Sequence, residues 1–111
     1  MKIAPSQIKI RLSCEPAYEH PSVGSADPEF LSAVEELMEI SEWGWCDVEV
    51  SATAFGLTAR AYLGGCSYRS AHDFIQCGSY TDLVSEATSD LETLVDQRYR
   101  EICAYLKESG Q

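Results

Sequence analysis

Apolar and polar residues alternate from Gln7 to Ser13, where Ile8, Ile10 and Leu12 are separated by Lys9 and Arg11. This period of two predicts a strand with one buried face. The period changes after Asp27-Pro28, a pair that starts helices because Asp caps free backbone N–H groups and Pro is pre-set for the first helical position. A helix is expected from there to about Ser41. Phe30, Leu31, Ala33, Val34, Leu37 and Met38 fall on one side, with Glu29, Glu35, Glu36, Glu39 and Glu42 on the other. Trp43-Gly44-Trp45 breaks it. Alternation returns from Cys46 to Phe55 and, past a turn at Gly56, from Leu57 to Leu63, which predicts two strands paired as a hairpin. Gly64-Gly65 loosens the chain, and a fourth strand is expected between Tyr68 and Cys77, with Phe74-Ile75 as its most apolar part. From about Thr81 to Lys107 an apolar stripe recurs at helical spacing, through Leu83, Val84, Ala87, Leu91, Leu94, Val95, Ile102 and Tyr105.

The expected order is therefore β-α-β-β-β-α. It defines an α+β fold with an antiparallel sheet of four strands and two helices packed on one face. At 111 residues the chain is long enough for one core and too short for two, so residues 1–111 are read as a single domain. Glu15 to Ala26, with Pro16, Pro21 and Gly24, reads as a long loop, and Ser109 to Gln111 as a frayed end. From about Asp27 to Lys107 the order helix, three strands, helix resembles the double-stranded RNA-binding domain in topology. That family's basic cluster at the start of the second helix is replaced here by Tyr80-Thr81-Asp82-Leu83, and an acidic helix start repels phosphate.

Charge changes the picture more than composition does. Eighteen acidic residues against eight basic ones give a formal net charge of −10. Ten Asp or Glu and no Lys or Arg lie between Leu12 and Ala59, and six acids and again no base lie between Asp73 and Asp96. A field of that sign repels nucleic acid and anionic membrane and attracts basic protein surfaces. No direct nucleic-acid or membrane partner is expected. Neither a signal peptide nor a transmembrane run is visible, which makes the cytoplasm the expected location. The five cysteines form no C-x-x-C pair and read as small buried hydrophobes of a reducing compartment. Cys66, His72 and Cys77 are the alternative metal set, at a spacing that matches no standard zinc pattern.

No catalytic, metal or cofactor signature emerges. A nucleophilic device would have to use Cys77, His72 and Asp73, and Gly64-Gly65 lacks the Lys and the following helix of a phosphate loop. The acidic surface is the most informative feature. Glu35, Glu39 and Glu42, with Glu36 beside them, are spaced to put carboxylates about 6 Å apart along one helix face, a spacing that imitates a run of phosphates. Asp82, Glu86 and Asp90 offer a second row, and Trp43 and Trp45 are candidate aromatic anchors next to the first. In this character, small, acidic and without a motif, the chain resembles phage-encoded anti-CRISPR and other nucleic-acid-mimic inhibitors. That class shares no sequence signature, so no functional residue carries over. The expected function is a binding protein, not an enzyme, whose acidic helix faces occupy a basic, nucleic-acid-binding surface of a partner. The alternatives are an adaptor or immunity-type module with an apolar interface around Trp43 and Trp45, and a small acid-dependent enzyme.

Overall fold

The computed structural model describes residues 2–21 and 27–110. Its elements are β1 (Lys9–Pro16), α1 (Pro28–Ile40), β2 (Cys46–Ala54), β3 (Leu57–Cys66), a short helix α2 (Ala71–Ile75) and a long helix α3 (Gly78–Glu108). Short 3-10 turns precede β1 at Pro5–Gln7 and link α1 to β2 at Glu42–Gly44. The fold is α+β, with an antiparallel sheet of three strands in the order β1-β2-β3.

Strand alternation sets the two faces of that sheet. Val50 of β2 lies between Leu12 of β1 and Ala61 of β3, and Ala52 between Ile10 and Ala59, so the apolar residues of all three strands share one face. α3 lies against this face along β3 and β2 through Leu83, Ala87 and Leu91, with Val84 and Val95 on its flanks. Small residues at Ala52, Ala59, Ala61 and Ala87 let the helix approach closely, and all four are buried. Ile3 seals the same cluster, its backbone N–H donating to the Glu92 carboxylate at 3.0 Å.

The hairpin turn is formed by Phe55 and Gly56, both at positive φ (53° and 76°), the backbone of the tight two-residue turn that matches strand twist. At the opposite end of the hairpin the register shifts between Cys46 and Val48, so that β3 accommodates one extra residue. Gly65 takes the left-handed conformation there (φ 64°), and its N–H donates to Asp47 Oδ1 at 3.0 Å.

Three expectations are corrected. The segment from Tyr68 to Cys77 is not a fourth strand. β3 runs on to Cys66, leaving four residues before the helix α2 begins. Ser70 Oγ accepts from the Asp73 N–H (3.2 Å) while Asp73 accepts from the Arg69 N–H (3.1 Å), a reciprocal arrangement close to a capping box that closes a helical turn. Phe74 then plugs the end of the core instead of joining a sheet face. With two strands rather than three between α1 and the helices that follow, the chain departs from the topology of the double-stranded RNA-binding domain.

The long loop also begins later than expected. Glu15 and Pro16 are still in β1, opposite Asp47 and Cys46, and Pro is tolerated because β1 is an edge strand whose missing donor is not needed. Ala17–Pro21 belong to the described residues, and the rest of the expected loop, residues 22–26, lies outside them. Finally, the two helices do not share the sheet face. α3 covers it alone, while the main contacts of α1 are with the 3-10 turn that follows it. Gly44 makes that reversal possible, because a Cβ there would lie 2.3 Å from the Leu37 carbonyl carbon.

Candidate binding surfaces

Asp27 caps α1 as its sequence predicts, Oδ1 accepting from the Glu29 N–H at 3.0 Å, and Pro28 takes the first turn. Val34 is the buried residue of this helix, and Glu35, Glu36 and Glu39 are all exposed. The expected row of three carboxylates is shortened. α1 ends at Ile40, and Ser41 turns extended (φ −159°, ψ 144°) to cap the following 3-10 turn through a bond from the Trp43 N–H. Glu42 therefore leaves the helix face and lies near β1, where its charge adds to burial in raising the Cys14 thiol above its ordinary pKa.

The second row is kept whole. Asp82, Glu86 and Asp90 are exposed on the uninterrupted first half of α3, away from the buried Leu83, Ala87 and Leu91. Among the described residues none of these six helix acids is held in an ion pair, in contrast to Glu49, which Arg60 reaches at 2.8 Å. The sheet adds acids that patterning alone did not bring together. Its face away from α3 carries Lys9, Arg11 and Arg60 towards one end and Glu15, Asp47 and Glu49 towards the other. Glu15 and Asp47 are directly opposite one another, a like-charge pair that costs stability. Their pairing was legible only if β1 was extended past Ser13.

The two tryptophans have different fates. Trp43 is buried (8% exposed), its ring stacked on Phe74 at 5.6 Å, with Tyr68 and Tyr80 set edge-on to the same Phe74 ring at 5.0 and 6.1 Å. It belongs to the core plug. Trp45 is half-buried on the other side of the chain and donates its indole N–H to the Glu19 carbonyl at 2.7 Å. It forms the floor of an open cleft of about 430 Å³ whose walls are Ala17 to His20, Asp47 and Gly64-Gly65. A Cβ at position 65 would stand 3.3 Å from the Trp45 ring, so the glycine brings the backbone down onto the indole. The cleft has carboxylates at Glu19 and Asp47, the latter already accepting from the Gly65 N–H.

Cys14, Cys46, Cys66 and Cys77 gather at one end of the sheet as free thiols, while Cys103 is exposed on α3. Burial pushes the Cys46 thiol up to about 12 and the Cys66 thiol up to about 11, which makes both unreactive near neutral pH. For Cys77 burial also acts upward, but hydrogen bonds from Tyr68 and from the Tyr80 and Ser79 backbone outweigh it and leave the thiol below its ordinary value. Its sulfur lies 3.6 Å from the Tyr68 hydroxyl, and Asp73 bonds to the Arg69 backbone, so Cys77, His72 and Asp73 are not connected as a nucleophile, base and orienting acid. Among the described residues no three His, Cys, Asp or Glu side chains converge as metal ligands, which removes the set of Cys66, His72 and Cys77. Nor is any helix among them long and apolar enough to cross a membrane.

The fold and its surfaces thus define an acidic α+β protein, a three-stranded sheet backed by one long helix. Compared with known families, curated proteins and solved structures, the chain matches none.

Proposed function

We propose that this is a protein-binding protein whose acidic faces on α1 and the first half of α3 occupy a basic, nucleic-acid-binding surface of a partner and so inhibit it. The observation that carries this reading is the exposure of Glu35, Glu36 and Glu39 on one helix and Asp82, Glu86 and Asp90 on another, with no ion pair among the described residues to account for them. Like charges one turn apart destabilise a helix by a few tenths of a kcal/mol, roughly, per pair, so rows of this kind cost stability unless something basic meets them. Both helices also meet the same plug, because Trp43 just after α1 and Tyr80 in the first turn of α3 flank Phe74. The alternative interface around both tryptophans has less support, since Trp43 is spent on the core.

The test is capture of partners from lysate at low salt, elution along a salt gradient, and competition with duplex DNA and RNA. It is run beside the triple variants Glu35→Lys/Glu36→Lys/Glu39→Lys and Asp82→Lys/Glu86→Lys/Asp90→Lys. The expected result is a basic partner that elutes at moderate salt, is displaced by nucleic acid and is lost with either variant while the melting temperature does not fall. Capture that resists salt and survives both charge reversals would sink the proposal.

A further inference from the structure

The last turns of α3 lie beyond anything they cover. The molecule measures 67 × 27 × 18 Å and has a radius of gyration of 18.9 Å, whereas a compact chain of this length has about 13 Å. Every described residue from Gln97 onward is exposed. Yet the apolar face of the helix does not stop with the sheet: Ile102 continues the line of Val84, Leu91 and Val95, and Tyr99, Tyr105 and Leu106 border it. Tyr99, Ile102 and Tyr105 are 58%, 51% and 69% exposed. A solvated helical end of roughly 14 residues is marginal by itself in water.

We propose that this projecting end pairs two copies of the chain, antiparallel, through its apolar face. Charge selects the occupant. From Gln97 to Gly110 there are three bases and two acids, whereas the rest of the chain carries five bases and sixteen acids. Of the two longer helices, the end of α3 is therefore the one whose apolar face a second, equally acidic copy approaches without facing a field of its own sign, since α1 carries Glu29, Glu35, Glu36 and Glu39 and no base. Charge also selects the direction. An antiparallel overlap of the ends holds the two acidic bodies about 14 Å apart along the helices, more than one Debye length at physiological salt, and a parallel pair would bring them side by side.

The sequence is self-complementary in that arrangement. About a two-fold axis between Arg100 and Glu101, Tyr99 faces Ile102 of the second copy and Val95 faces its Leu106. Arg98, which already approaches Glu101 of its own helix at 3.6 Å, falls beside Glu101 of the second copy. Only the outer surfaces of Tyr99, Ile102, Tyr105 and Leu106 on each chain are covered, a small interface of the kind that gives a weak, concentration-dependent pair. Asp82, Glu86 and Asp90 stay outside the overlap, free for a different partner.

Sedimentation equilibrium of the full chain over roughly 5 to 200 µM, bracketing the affinity of a small interface, is expected to show the mass rising from one chain to two. Ile102→Glu/Tyr105→Glu is expected to raise the dissociation constant at least tenfold with an unchanged circular dichroism spectrum, because both positions are exposed in the single chain. Arg98→Glu weakens the pair, and adding Glu101→Arg restores it. Moderate salt strengthens assembly by screening the bodies. A wild-type chain that stays single throughout, a species larger than two, or a pair indifferent to the double variant overturns the proposal.

Discussion

Phe74 sits on a helix of five residues and is nonetheless fully buried, in contact with Trp43, Tyr68 and Tyr80. It joins the turn after α1, the segment after β3 and the first turn of α3, so removing its ring empties a space that none of the three can fill alone. Phe74→Ala is expected to cost about 3–5 kcal/mol, read as a loss of denaturant midpoint; a loss below about 1 kcal/mol, the level of an ordinary substitution, would show that the plug closes up. The buried thiols make a second prediction at this scale. A thiol whose folded pKa lies above its unfolded value stabilises the fold while both states are protonated. That contribution declines as pH rises past the unfolded value of 9.0 and is gone above the folded one, about 12 for Cys46 and about 11 for Cys66. The melting temperature should fall steeply above pH 9, and Cys46→Ala should flatten the profile; an equally steep profile in the variant would assign the sensitivity elsewhere. Ser70-x-x-Asp73 was a readable helix start, and it competed with the apolar pair Phe74-Ile75, which suits a strand equally well. A periodicity of two cannot be distinguished from one of 3.6 over so short a run.

At the scale of elements, α1 and α3 differ in what holds them. α3 is supported by the sheet along its first half, whereas α1 buries Val34 and relies on its cap and on the turn at Gly44. The last turn of α1 holds no basic residue and ends on Glu39 and Ile40, so carboxylate charge stands at the negative end of the helix dipole. Glu39→Lys is expected to stabilise by about 0.3–1 kcal/mol, seen as a rise in melting temperature; a fall would mean that Glu39 has a role in the free fold. Both helices were legible from periodicity and from Asp27-Pro28. The shortening of the Glu35, Glu39, Glu42 row was not, because Ser41 ends the helix by capping the next turn and helix ends are set by such local competition.

For the whole molecule, net charge of −10 works against the compact state. Raising sodium chloride from about 0.02 to about 0.5 M shrinks the Debye length from about 20 to about 4 Å, and the melting temperature should climb across that range; an unchanged value would show that the acids are spread too widely to repel. The elongated shape bears on the same point, since the projecting end of α3 removes charge-balanced chain from the acidic body.

By itself the sequence determined the class of fold, the helix starting at Asp27-Pro28, the hairpin about Gly56 and the acidity of the surface, since these follow from local periodicity, turn chemistry and charge. Only the tertiary structure decided that the sheet has three strands, that Trp43 is core while Trp45 lines a cleft, and that the apolar stripe of α3 outruns what it covers. The width of the sheet sets where burial ends, and a stripe of constant period along one helix carries no record of that width.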